Sequence, residues 1–510
     1  MKQFKYLITA ALIITICGLS CTKKLDEVVP QDAVSKDQAL KDPNAARTLY
    51  HGVYGLFRSY TGTFYQLGEM RGDIWTDGLF TESVDGGFQN LYRHNISHLN
   101  VPFANWAGFY NLIYNFNNII KLYPQTPLPQ DEKNRVLAEV YGLRAYVYYT
   151  MARTWGAVPL NTEPVETISN AAETYKRRTS VDTIMMQVKA DIEESLRLFG
   201  SANTLPAGKR VYWNRLATLI LKGDVFLWSG THMAGGAADF TTAKNALLEV
   251  RNLEGATLGL QDNYAHIFDP TRKNNNKEII FAINYELQQS QLGVFGNFLV
   301  NSIQANTLSF SQSPTPTVSS VYPFVNGANR IGMNQAMIDR LTTGAADQRI
   351  SNTFRVMYST AAPHSVRGVL LTKYIGTTAG TSQIYNNDYP VYRFAEVLLL
   401  LAEAKAKLGE DPAAEINIIR QRAYGAGYPV YTNGTVTENI NAILEEYLRE
   451  FIAEGKRWWA LRRAGDTYVY ANINPTYFSP TTAAKFLLPL SKAMLDNDPM
   501  LEQTTGYPRP

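Results

Sequence analysis

The sequence predicts a mostly α-helical protein with a few short strands, and three observations carry that prediction. Apolar residues recur at spacings of three and four over several long stretches, start and stop signals divide those stretches into pairs, and long runs rich in Gly, Asn, Ser, Thr and aromatic residues lie between the pairs. With 510 residues, 45% of them hydrophobic, the chain can bury the core of one large domain or of several small ones.

The first residues read as an export signal. Lys2 and Lys5 precede an apolar run from Tyr6 to Leu19, too short to span a bilayer comfortably, and the small residue Ser20 stands before Cys21. A small residue directly before cysteine is what lipoprotein processing needs, so residues 1–20 are expected to be removed and Cys21 to become the acylated first residue. The match departs from the usual pattern, since Gly18 holds the place where leucine is preferred and Leu19 comes one position later. An ordinary secretory signal with an incidental cysteine is the competing reading. Residues 21–40 read as a lipidated leader and linker. Cys17 and Cys21 are the chain's two cysteines, so the mature body holds no free thiol for disulfides, metal thiolates or nucleophilic catalysis.

The helices follow in order. Trp106 to Lys121 carries Phe109, Leu112, Ile113, Phe116 and Ile120 on one stripe, and after Pro124 and Pro127 a second stripe holds Val136, Val140, Leu143, Val147 and Met151, ending at Gly156. Thr179 to Asp182 resembles a capping box opening a helix to Phe199, Trp213 to Trp228 forms its partner, and Asp239 to Asn252 adds another. A third pair runs from Val391 to Leu408, stops at Gly409, and resumes with Asp411 as cap and Pro412 at the first helical position as far as Ala423. Helix, short turn, helix is the tetratricopeptide (TPR) arrangement, although no sustained repeat period is present, so the pairs are TPR-like in geometry only. Ser59 to Asn105 and Ala256 to Ser382 read as long surface segments, with Glu278 to Asn284 as a short strand.

Charge and motif content exclude several classes. Forty-eight basic side chains nearly cancel 45 acidic ones, which argues against nucleic acid as a partner. The six histidines show no metal-ligand spacing, and no phosphate loop, nucleophile elbow or dinucleotide fingerprint is found, so neither metal nor cofactor is expected. His94 and His98 could share a helix face as i and i+4. Arg393, Glu396 and Glu403, and Glu446, Arg449, Glu450, Glu454 and Arg457, interleave on apolar helices and read as ion pairs rather than as an acid and base facing each other across a cleft.

At the third helix pair the residues become recognisable. Asp388 to Ala404 reads DYPVYRFAEVLLLLAEA; INIIRQRA follows from Ile416, LREFIAEGKRWWALRRAG from Leu448, Leu-Pro-Leu from Leu488 and NDPMLEQTTGY from Asn497. Together with FYNLIYNFNNII from Phe109 and LRAYVYYTMARTWGAVPL from Leu143, this series resembles the SusD/RagB family of outer-membrane nutrient-binding lipoproteins over nearly the whole mature chain. The end motif departs: the family more often has Gln-Asn-Pro-Gly-Tyr where this chain has Gln503, Thr504, Thr505, Gly506 and Tyr507. The resemblance implies one helical body in which residues 41–270 form the N-terminal part with TPR-like pairs and 271–510 the C-terminal part. It also implies a surface-exposed lipoprotein, anchored in the outer membrane by its lipid, that binds glycan or a similar nutrient without altering it and hands it to a SusC-like TonB-dependent transporter. Two alternatives stay open: a surface-anchored helical-toroid glycoside hydrolase, and a structural transporter lid for peptide or another small nutrient.

A glycan platform needs exposed rings beside hydrogen-bonding side chains. GEMRGDIWTDGLF from Gly68 offers that mixture in a region where the family often places ligand contacts, so Trp75 is the first candidate, with Arg71, Asp73 and Asp77 as neighbours and Tyr285 and Tyr322 as further aromatic candidates. The competing reading of Trp75 is a packing tryptophan.

Overall fold

The computed structural model describes residues 34–80, 82, 84–165, 170–205 and 208–510. Cys21, the signal at 1–20 and the leader up to residue 33 lie outside the described residues. The last part of the expected leader forms a short helix, Lys36–Ala39, capped by Ser35.

Two helices open the body, α1 (Pro43–Ser59) and α2 (Thr61–Glu69). The Asp42 carboxylate accepts the Asn44 N–H at the start of α1, with Pro43 in the first turn where its missing N–H costs nothing. α2 corrects the reading of Ser59 to Asn105 as loop. It buries Phe64, Tyr65 and Leu67, a tertiary gain that outweighs the poor helix propensity of Thr61, Gly62, Thr63 and Gly68. A short strand β1 (Trp75–Asp77) and a helix α3 (Gly86–Tyr92) follow.

The first and third expected hairpins are present, but the second is regrouped: the Val181–Phe199 helix packs chiefly on the helix before it, and its expected partner packs chiefly on the helix after it. α4 (Ala107–Leu122) packs on α5 (Gln130–Trp155), which packs on α6 (Val181–Phe199), while α7 (Arg215–His232) and α8 (Gly236–Arg251) form the next pair. α5 ends where the sequence predicts, at Gly156 with φ of 76°. The start of α6 is one residue later than the capping box suggested, with the Ser180 hydroxyl accepting the Thr183 N–H.

Strand β2 (Ile279–Ile283) lies within the segment expected to be extended. Its partner is a correction. Val391 to Arg393 are not the first turn of a helix but the end of strand β9 (Tyr389–Arg393), antiparallel to β2 and buried at every position. A continuous apolar run suits a doubly buried strand as well as a buried helix, and the partner that decides between them lies more than a hundred residues upstream. The following helix is Phe394–Lys407, ending before Gly409 with φ of 75°, and the next is Ala413–Tyr424, where Pro412 stands at the cap and Asp411 accepts the Ala413 N–H.

The strands between them are β3 (Leu308–Ser309), β4 (Ile331–Met333), β5 (Phe354–Ser359), β6 (Val366–Leu371) and the hairpin β7 (Thr377–Ala379) with β8 (Ser382–Ile384). Helices α9 (Gln335–Thr342) and α10 (Gln348–Thr353) follow β4, Phe394–Lys407 is α11 and Ala413–Tyr424 is α12. Then come α13 (Val436–Glu450), α14 (Arg457–Ala464) and α15 (Asp466–Asn472). One hydrophobic core runs from Ala39 to Leu501 through both halves, and a small second core of Leu299, Val300, Ala305, Leu308, Val318, Val325, Met357 and Leu370 holds the loops over the β3–β5–β6 sheet.

The chain end is laced onto the body. The Leu488 N–H donates to the Thr154 carbonyl at 2.8 Å, and the Gln503 amide bonds both the N–H and the C=O of Leu490 at 2.7 and 2.9 Å.

Candidate functional site

The interleaved charges form a buried network. Arg393 reaches Glu278 and Glu450 at 2.6 Å and Glu454 at 2.8 Å, Lys373 reaches Glu454 at 2.6 Å, and Arg349 bridges Asp347 and Glu446 at 2.8 and 2.7 Å. Burial pushes the Glu450 carboxyl up, but Arg422, Arg393 and Arg349 outweigh it and hold the group far below the usual carboxylate range. Lys373 is pushed down to about 8 by burial, against the pull of Glu454. Arg463 likewise joins Glu403 and Asp224, each at 2.9 Å, and Lys456 joins Glu396 at 2.8 Å. These groups lock α11, α13 and α14 to β2 and β9; they are committed to one another rather than turned toward a substrate.

A cleft of about 390 Å³ opens beside β1, in the size range of small-molecule sites. Its wall combines the rings of Trp75, Tyr92 and Tyr477 with Thr76, Met337, Ile473 and the amides of Asn334, Asn472 and Asn474. Three remote segments build it. β1 pairs with β4 in register Trp75 to Met333, Asn334 caps α9 through the Met337 N–H and donates from Nδ2 to the Asp73 carbonyl, and the 472–477 segment follows α15. The charges on the wall have partners. Asp73 is gripped by Arg457 through two bonds of 2.7 Å, which overcome burial and keep its carboxyl below the ordinary value, and Arg340 pairs with Glu445. What the wall offers to a ligand is therefore chiefly the half-buried Tyr477 ring, amides and the Thr76 hydroxyl, with the buried Trp75 and Tyr92 rings behind them.

Trp75 stands in this wall with its ring edge-on to Phe298 at 4.7 Å and its indole N–H donating to Glu69 at 3.3 Å. Glu69 is fully buried at the end of α2, and burial pushes its carboxyl up to about 7 against the hydrogen bonds it accepts.

Two family models match the chain: the SusD family over residues 355–507, and a family described as starch-binding and associating with the outer membrane over residues 34–206. Among solved structures, NanU of B. fragilis is 31% identical, with a TM-score of 0.83 over 94% of this chain and 100% of that one. The chain belongs to the SusD/RagB family. A SusD superfamily protein of Bacteroides vulgatus is 30% identical, with a TM-score of 0.82 over 92% of this chain and all of that one. The SusD-like protein P38 of Formosa agariphila is 26% identical over 99% of this chain and 100% of its own length, and the starch-binding protein SusD of Bacteroides thetaiotaomicron is 22% identical over 74% of this chain and 73% of its own.

Within this SusD-family fold the residues singled out from sequence are not all in one place. Trp75 and Asp73 line the cleft, although Trp75 is only 4% exposed, so it packs as well as lines. Asp77 lies at the end of β1, bonded to Gln89, Tyr92 and Arg93. Arg71 is buried: its guanidinium lies 4.2 Å from the Trp458 ring and donates to the carbonyls of Lys485 and Phe486, so it ties the C-terminal segment to the body. Tyr285 is buried with its hydroxyl on the Arg58 carbonyl at 3.2 Å, and Tyr322 is half-buried in the small second core, edge-on to Phe310 and Phe324. His94 and His98 do not share a helix face. His94 follows α3 with φ of 48°, is fully buried, and contacts the Arg71 carbonyl at 3.0 Å.

Sequence reasoning missed Tyr92, Asn334, Arg340, Asn474 and Tyr477. Their one local signal is the N-P-T-Y run at 474–477, which marks an exposed turn with a ring but not what it faces.

Proposed function

We propose that this SusD-family protein binds a glycan at the cell surface in the cleft beside Trp75 and does not cleave it. The observation that carries the reading is the wall itself: rings set beside amides, with each charged side chain on it already engaged by a partner of its own fold. Such a surface stacks on the C–H face of a sugar and hydrogen-bonds its hydroxyl edge, while offering no free acid and base pair. The family model that matches residues 34–206 is described as starch-binding, which supports α-glucans among the first ligands to try. Acylation at Cys21, attachment to the outer membrane through that lipid, and delivery of the ligand to a SusC-like TonB-dependent transporter belong to the same reading.

The test is a glycan array probed with the chain from Thr22 onward, followed by incubation with each glycan retained. Retention of oligosaccharides with no release of new reducing ends is the expected result. Release at a rate abolished by changing a carboxylate of this chain would replace the binding reading with the hydrolase one. Radioactive fatty acid should label the intact chain and not Cys21→Ala.

A further inference from the structure

Trp75 is held by a residue that the sequence gives no reason to single out. Glu69 is completely buried and accepts four N–H donors: Trp75 Nε1 at 3.3 Å and the Ala453 N–H at 2.8 Å on Oε1, and the N–H groups of Gly455 and Lys456 at 3.0 and 3.2 Å on Oε2. The turn that supplies the three backbone donors is unusual. Ala453 has φ of 66° and Gly455 of 71°, so the N–H groups of Ala453, Gly455 and Lys456 converge on one spot while that of Glu454 bonds the Phe451 carbonyl, and a Cβ on Gly68 would stand 1.8 Å from the Gly455 carbonyl oxygen, so the two backbones nearly touch. The next residue along from this turn, Arg457, grips Asp73 on the cleft wall.

We infer that Glu69 is a positioning residue for ligand binding: its carboxylate locks the Trp75 ring into the cleft wall and ties that ring to the 453–456 turn. The inference rests on the glycan-cleft reading for its consequence, but its geometry is independent of any ligand. Only a carboxylate satisfies this shell. A glutamine in the same place has one accepting oxygen, and its NH₂ would face two N–H donors whichever way the amide is turned.

The experiment follows the tryptophan indole N–H groups by ¹⁵N NMR in the chain from Thr22 onward, with the Trp75 signal identified by its loss in Trp75→Phe. In Glu69→Gln the Trp75 indole proton should exchange with solvent about tenfold faster or more, as expected for losing a bond to a charged acceptor, while the indoles of Trp106 and Trp213 keep their rates. An unchanged Trp75 exchange rate overturns the assignment. On the glycan array Glu69→Gln should weaken retention about tenfold, and the same change in a Trp75→Phe background should add less than about twofold, because the bond it breaks is already gone. Equal losses in the two backgrounds would mean that Glu69 acts by another route. Should Glu69→Gln fail to fold, Trp75→Phe leaves Glu69 and its three backbone donors in place; full retention by that variant overturns the proposal. An array on which no form of the protein retains a glycan sinks the glycan reading, while the indole rates still decide the role of Glu69.

Discussion

Tyr477 lines the cleft half-buried, whereas Trp75 is 4% exposed with its ring against Phe298. The two rings therefore call for different tests. Trp75→Ala removes a packed ring and should cost about 3–5 kcal/mol of stability, which confounds any loss of binding. Tyr477→Ala should weaken glycan binding roughly three- to tenfold, the worth of one ring contact, and shift the melting temperature little. Calorimetric titration beside a thermal melt separates the two effects, and a large melting shift for Tyr477→Ala would assign it to packing. A second prediction concerns Glu139, whose carboxyl accepts from Tyr50, Tyr54 and Arg135 and is pushed up from 4.5 to about 7 by burial. A carboxyl raised in the folded state favours folding when protonated, so its contribution is present below 4.5 and is lost as pH rises through about 7. Lowering the pH from about 8 to about 5.5 should therefore raise the melting temperature of the native chain relative to that of Glu139→Gln; parallel pH profiles for the two proteins would remove Glu139 from the balance. At this scale the sequence was half legible. Interleaved Arg and Glu announced ion pairing, but the pairing of Arg393 with Glu278, 115 residues away, and the burial of His94 are set by tertiary contacts with no local mark.

Helices whose stripes are long and whose ends are punctuated, such as α4 and α5, could be read from sequence to within a few residues. Elements whose identity depends on a distant partner could not: β9 needs β2 to be a strand, and α2 needs the 453–456 turn to hold it against its glycines. That last contact supports a sharp prediction. Gly68→Ala inserts a Cβ 1.8 Å from the Gly455 carbonyl oxygen, a backbone atom that cannot swing aside. The cost should be about 1–3 kcal/mol or more, read as a lower urea midpoint with an unchanged slope. Gly52, on the neighbouring α1 with open space around its Cβ position, is the control: Gly52→Ala should leave the midpoint the same or raise it slightly.

Over the whole molecule, TPR-like pairs and the C-terminal helices share one core from Ala39 to Leu501, while the 299–325 loops rest on a small core of their own. Hydrogen exchange should divide accordingly. Amides of α5 and α11 should be protected to the level of global unfolding, and those of 299–325 should exchange faster through local opening; equal protection would show that the small core is not a separate unit. The outline of the body was legible in the sequence because helical stripes and family motifs are local patterns. The cleft was not, because its wall is gathered from β1, α9 and the 472–477 segment, which meet only after folding.

The carboxylates and guanidinium groups that join α11, α13 and α14 to the two strands sit where counter-ions do not reach: Arg349 and Glu450 have 0% of their side chains exposed. Screening acts through solvent, so dissolved salt weakens surface attractions far more than these. The protein therefore carries its ionic glue indoors, and a shift from fresh water to brine leaves that part of the framework largely as it was.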